Sequence, residues 1–180
     1  GDMFNSGLVP GVQQVGIVDA QGYIWTCSDF DQGSPTWSRN TAAAAAAGIG
    51  AGDLISFVVD PFSPGYRGTG SSINGWVVHK TKIYKLSDIF GTPAYTQVHT
   101  FTNQVNRING EWASINCSFG RFQATESNNP WIVVARSHRS SSDQNGVYAT
   151  YSTDGGSTWS SDVAISSFND TAISNSPRRV

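Results

Sequence analysis

Charge is scarce in this sequence. Asp, Glu, Lys and Arg together make up 13% of its 180 residues, the formal net charge is −2, and glutamate occurs only at Glu111 and Glu126. No stretch concentrates Lys or Arg, so the positive footprint of a duplex-binding or anionic-membrane-binding protein is missing, and nucleic acid is not an expected partner. Long apolar runs are absent too. Nothing approaches the ~18 residues that span a bilayer, and the first residues lack the basic start and apolar centre of a signal peptide. These absences predict a soluble chain with no membrane span, its export signal removed or not included. Cysteine is limited to Cys27 and Cys117, and histidine to His79, His99 and His138. Neither set has metal-ligand spacing, so no metal and no cofactor is expected.

Glycine (19 residues) and aromatic side chains (12%) are plentiful. That balance favours strands joined by tight turns over salt-bridged helices and predicts an all-β fold. The chain also repeats itself. One unit reads as strands at 14–18 and 22–28, then a turn before Trp37. A second reads as strands at 54–59, 76–79, 82–87 and 95–99. A third reads as strands at 112–117, 131–135, 146–152 and 159–165. The first unit offers only a short Gly- and Pro-containing start where the others have an initial strand. Equivalent serines are assigned at Ser28, Ser87 and Ser152. Ala42 to Ala47 is too short for a stable isolated helix and is expected to form a connection with one helical turn. Cys27 and Cys117 fall two units apart, beyond the ~7 Å Cα limit of a disulfide, so buried free thiols are expected.

Ser152-Thr153-Asp154-Gly155-Gly156-Ser157-Thr158-Trp159 satisfies S-x-D-x-G-x-x-W at every fixed position. Asp154 can fold its carboxylate onto the amides of the turn, Gly155 and Gly156 can take positive φ, and Trp159 can offer its ring to the core. The segment resembles the Asp-box (BNR) repeat of sialidases, sortilin-type receptors, xyloglucan-cleaving glycosidases and photosystem assembly factors. Degenerate relatives are assigned at Ser28, Asp31, Gly33 and Trp37, and at Ser87, Asp88, Gly91 and Tyr95, alongside the intact Ser152, Asp154, Gly156 and Trp159. Asp60-Pro61 is similar to the turn after the first strand of such blades. The resemblance implies a β-propeller segment of about three blades (11–41, 53–101 and 111–166, with 167–180 a tail or the start of another), an incomplete array. A closed ring of about 4–8 blades then needs the rest of a longer chain or association of copies.

In that family the Asp-box lies away from the binding face, which makes its carboxylate structural and points the search to the opposite end. Asn106, Arg107 and Glu111 on one loop, and His138, Arg139 and Asp143 on another, are the candidates there; Tyr66 and Arg67 are exposed candidates in a Gly-rich loop. A sialidase site would require three converging arginines and a tyrosine–glutamate pair, and the Arg-Ile-Pro motif of sialidase domains is missing. Hydrolysis of a neutral glycan needs only two carboxylates about 5–9.5 Å apart. Arg136, at the end of an apolar strand, is expected to brace backbone. The functional expectation is a non-catalytic, extracellular or envelope-associated module binding glycan or protein. The alternatives are part of a glycoside hydrolase with residues outside the segment, or an assembly factor for a protein partner.

Overall fold

The computed structural model of the chain describes residues 2–4, 14–30, 33–50, 54–65, 71–101, 113–118, 131–138 and 145–168. They form three four-stranded antiparallel sheets, in each of which the strands lie side by side in chain order. The first sheet comprises β1 (Asp2–Phe4), β2 (Gln14–Val18), β3 (Ile24–Cys27) and β4 (Trp37–Asn40). The second comprises β5 (Leu54–Val59), β6 (Gly75–His79), β7 (Lys82–Ser87) and β8 (Ala94–Thr100). The third comprises β9 (Ala113–Ser118), β10 (Trp131–His138), β11 (Asn145–Ser152) and β12 (Val163–Phe168). The described residues are therefore mostly β, as the composition predicts.

Two expectations are corrected. The first unit does have an initial strand: β1 pairs with β2 through Asp2↔Gly16, Met3↔Val15 and Phe4↔Gln14. The last strand of the third unit starts at Val163 rather than at Trp159. At 159–162 the chain stays beside β11, the Ser160 amide donating to the Tyr151 carbonyl (2.9 Å) and Ser160 Oγ accepting the Tyr151 amide (3.0 Å), but without a regular ladder.

The second sheet is covered on both faces, which explains why β6 is buried along its whole length and reads as an unbroken apolar run rather than an alternating one. One face carries Val77, Tyr84 and Leu86, which pack with Ile24 of the first sheet and Ala43 of the connecting segment. The other carries Trp76, Val78 and Ile83, which pack with Ala113, Ile115, Ile132 and Val134 of the third. We call the first the leading face and the second the trailing face; by register, each sheet has both. The first strands of the second and third sheets also touch, β5 against β9, with the Ile115 amide donating to Ser56 Oγ at 3.2 Å.

Between β4 and β5 runs α1 (Ala42–Ala47), packed against β8 with Ala43 and Ala44 buried. Asn40 Oδ1 accepts the Ala43 amide at its start, and Gly48, at φ +67, ends it by donating to the Ala44 and Ala45 carbonyls. Packing on β8 supplies the stability that six alanines lack in isolation.

Candidate functional site

Sheet register fixes which residues are equivalent in the three turns. Cys27 lies opposite Val15, Leu86 opposite Gly75, and Ser152 opposite Ile132. All three are buried, and each precedes an aspartate by two positions. In the third sheet Asp154 Oδ1 accepts the Ser152 hydroxyl (2.8 Å) and the Thr158 amide (2.9 Å), while Oδ2 accepts the Thr158 hydroxyl at 2.6 Å. These bonds, those from Thr158 foremost, hold the Asp154 carboxyl at a pKa of about 2. In the second sheet Asp88 Oδ2 accepts the Thr92 amide at 2.8 Å. In the first, Asp29 Oδ1 accepts the Cys27 thiol (3.0 Å) and the Thr36 amide (2.9 Å).

The turn residues of the first two sheets thus differ from the sequence alignment. In the first sheet Cys27 and Asp29 make the bonds assigned to Ser28 and Asp31; Ser28 is exposed, and Asp31 lies outside the described residues. In the second, Asp88 acts as assigned, but buried Leu86 rather than Ser87 holds the inward position; Ser87 instead donates to the Ala94 carbonyl. Gly91 sits against the Asp88 carboxylate, where a Cβ would overlap it, whereas Gly33 has open space around it. The signals for the correct alignment are the shared x-x-Asp spacing from an inward residue and the Thr-Trp pair, Thr36-Trp37 and Thr158-Trp159.

The third turn also grips the second sheet. Trp159 meets Trp76 edge-on (6.4 Å) and stacks on His99 (5.4 Å, 27°), and its indole N–H donates to the Gly156 carbonyl at 3.1 Å. Gly156 has φ +84, and a Cβ there would come within 2.5 Å of the Trp76 ring. Tyr95 plays the matching part for the second sheet, donating its hydroxyl to the Gly22 carbonyl of the first at 2.8 Å. Burial, then the Asp19 charge, pushes the Tyr95 phenol above its usual range.

At the other end of the second and third sheets, strand ends converge on Arg136. Ala113 at the start of β9 lies opposite it, as does Tyr148 of β11, and Phe101, just past β8, lies 4.8 Å from the guanidinium carbon. Arg136 is fully buried and paired through Nη2 with Asp162 Oδ2; Asp162 Oδ1 accepts the Thr150 hydroxyl at 2.7 Å. The guanidinium also faces the Tyr148 ring at 5.4 Å, so its charge is met by a carboxylate and two π faces. Arg136 therefore serves as an ion-pair partner. Its place was legible, since Ile132, Val134 and Arg136 alternate onto one face. Beside this cluster burial holds the His99 pKa below its usual value, with Asp162 opposing and Arg136 reinforcing.

Asn106, Arg107, Glu111, Arg139, Asp143, Tyr66 and Arg67 lie outside the described residues, as does the side chain of His138, whose backbone closes β10 opposite Gly146. The strand ends flanking 102–112 and 139–144 meet at Arg136. The loop carrying Tyr66 and Arg67 leaves from the opposite end, where Asp60 Oδ1 accepts the Phe62 amide (2.9 Å), Ser63 Oγ accepts the Asn74 amide (2.8 Å) and Asn74 Oδ1 accepts the Asp88 amide (3.0 Å). Among the described residues no three His, Cys, Asp or Glu side chains gather as a metal site, and no helix is long and apolar enough to cross a membrane.

A cleft of about 370 Å³ opens between the first and second sheets, lined by Thr26, Ser28, Ser38, Asn40, Phe90 and Pro93 among others. It exists because the trailing face of the first sheet turns from Ile24 to hydroxyl-bearing residues, which do not fill the space beside the 89–93 turn. The surface is uncharged apart from Arg39, with one aromatic edge and several donors and acceptors. Compared with known proteins, the chain matches no family model, no curated protein and no solved structure.

Proposed function

We propose that the chain is a segment of an Asp-box β-propeller that works as a non-catalytic recognition or scaffolding module, extracellular or attached to the cell envelope, and binds a glycan or a protein. The blade reading is supported by three chain-ordered four-stranded sheets stacked face to face, with the first strands of the second and third adjoining. The observation that carries the non-catalytic reading is the use of the carboxylates. Asp19, Asp29, Asp60, Asp88 and Asp154 each accept backbone amides within their own turns, and Asp162 is held by Arg136. Such bonds hold the Asp29 and Asp154 carboxyls below their usual range, which keeps these two charged and makes them poor proton donors near neutral pH.

The hydroxyl-lined cleft suits a neutral glycan or a polar protein loop, which would exchange hydrogen bonds there without meeting a strong field. Screening the chain against immobilised glycans is expected to give binding that Ser38→Trp abolishes by filling the cleft, since Ser38 is exposed and its replacement leaves the core intact. Binding unaffected by Ser38→Trp would remove the cleft from the reading. A second reading, a glycoside hydrolase, draws support from one observation: the segments carrying Glu111 and Asp143 both leave from strand ends that meet at Arg136. Turnover of sialosides or neutral glucans that disappears with Glu111→Gln or Asp143→Asn would replace the binding-module reading with that one.

A further inference from the structure

The cleft between the first and second sheets has a counterpart in the next contact, where rings fill it. Register fixes the correspondence. Cys27 lies opposite Val15 and Leu86 opposite Gly75, which makes Gly16 equivalent to Trp76. Ile24 lies opposite Asn40 and Ile83 opposite His99, which makes Asn40 equivalent to His99. Thr92 and Thr158 each give an amide to the aspartate of their own turn, so Pro93 is equivalent to Trp159. Between the second and third sheets the Trp159 indole meets Trp76 edge-on and stacks on His99. Between the first and second, the same three places hold proline, glycine and asparagine. Asn40 and Pro93 line the cleft, and Gly16 stands beside Thr26 in the ladder. Ile24 against Val77, Tyr84 and Leu86, with Tyr95 on Gly22, still holds the two sheets together. The smaller residues therefore leave open a space that rings occupy one contact further on.

We propose that this cleft seats a ring of a neutral glycan, an inference that deepens the recognition reading above and rests on it. Its two walls differ as the aspects of a sugar ring do. The second-sheet wall offers apolar surface from Phe90 and Pro93, suited to the C–H face of a sugar. The first-sheet wall offers Thr26, Ser28, Ser38 and Asn40, suited to its hydroxyls. Among the described residues the Thr26, Ser28 and Ser38 hydroxyls have no protein partner. Asn40 spends only its oxygen, on the Ala43 amide, which leaves its two N–H donors for a ligand. An aromatic side chain from a protein loop would strip water from these groups without replacing their hydrogen bonds, a cost that a hydroxylated ring avoids. An acidic sugar would find no cation. Arg39 is the one charged residue of the lining, and it lies opposite Trp25, alternating away from Ser38 and Asn40, with its guanidinium over the Trp25 ring at 5.3 Å. The volume falls in the usual ligand-site range of about 300–1,000 Å³. Ser28, Ser38 and Gly91 are exposed, so the rest of a glycan can run on into solvent.

The test is calorimetric titration of the chain with a panel of neutral hexose oligosaccharides and, in parallel, with oligosaccharides carrying uronate or sialate. Binding of a neutral oligosaccharide is expected. Pro93→Trp puts an indole where the next contact has one and is expected to abolish that binding while the far-UV spectrum is kept; Ser38→Trp fills the cleft from the other wall should Pro93→Trp fold poorly. Thr26→Val with Ser38→Ala keeps the shape and removes two hydroxyls, and is expected to weaken binding at least tenfold, the equivalent of about 1.4 kcal/mol. Arg39→Ala is expected to leave the affinity unchanged. Neutral sugars that bind the filled variants as well as the wild type would overturn the seat and leave the recognition module standing, with its glycan site elsewhere. Binding confined to acidic sugars and lost with Arg39→Ala would overturn the neutral class. A wild-type chain that binds no neutral sugar at about 1 mM would overturn the proposal outright, and the module reading would then be judged separately, on protein binding that Ser38→Trp removes.

Discussion

The two contacts that flank the second sheet repeat one geometry with different chemistry. Between the first and second sheets the core is Ile24, Ala43, Val59, Ile73, Val77, Tyr84, Leu86 and Ile89, closed at its edge by the Tyr95 hydroxyl on the Gly22 carbonyl. Between the second and third it is built around Trp76, Phe101 and Trp159, with Arg136 and Asp162 at one end and His99 beside them. Neutral groups serve at the first contact, whereas the second depends on a buried charge and on a glycine that leaves room for an indole. Stacking is thus set by which face meets which. How fragile each contact is depends on the residues that fill it.

Substitutions can sharpen that contrast. Trp76→Ala removes the largest buried side chain from the aromatic contact and is expected to cost about 3–5 kcal/mol, measured by urea denaturation. Arg136→Ala leaves Asp162 without its cation and is expected to cost about 3–5 kcal/mol. Most of that loss should return in the double variant Arg136→Met, Asp162→Leu, because replacing a buried pair by apolar groups is often neutral or better. Failure of the double variant to recover would show that the guanidinium does more than satisfy Asp162. Gly156→Ala is expected to cost about 2–3 kcal/mol, from overpacking against Trp76 and from a left-handed backbone angle that alanine resists. At the neutral contact, Tyr95→Phe should cost only about 1 kcal/mol, the value of one hydrogen bond.

The smallest effect is a pH response confined to the charged contact. The folded protein holds His99 below its usual pKa of 6.5. Unfolded chains therefore take up a proton near pH 6.5 that the folded protein resists, so stability is complete above that pH and declines as pH falls below it. Thermal melts between pH 7.5 and 5 should show the decline, and His99→Phe should flatten it. An unchanged slope in the variant would assign the response to another group. The Asp154 carboxylate acts in a lower window: with its pKa at about 2, its contribution is present above about pH 4 and is lost as the pH falls toward 2.

Much of the fold could be read before the structure, because most strands here are local patterns. β6 and β7 carry the unbroken and alternating apolar sequences of a covered strand and its neighbour, and the Ser152–Trp159 turn shows its hydrogen bonding in its spelling. What escaped reading depended on tertiary partners. β1 has three residues and acquires its identity only by pairing with β2. Cys27 was passed over as a turn residue because a thiol in place of a hydroxyl breaks the motif's spelling while keeping its bond to Asp29. Trp159 has the spelling of a strand start; its docking on Trp76, in the preceding sheet, does not follow from spacing. The loop-borne candidates rested on polarity and chain topology alone, which say which strand ends a loop joins but not what its side chains touch.

The chain order of the strands also bears on how the molecule comes to be folded. Among the described residues every strand pairs only with strands next to it in sequence, so forming a sheet closes local loops, for which the entropic cost grows slowly with length. Each sheet can organise by itself as soon as its own residues are available, and docking need only propagate from one neighbour to the next, as in other repeat proteins. The contacts that span sheets, Tyr95 on Gly22 and Trp159 on Trp76, are then the late ones. Each is carried by the turn or the last strand of the later sheet, so the chain presents the latch only after the surface it closes on has been made.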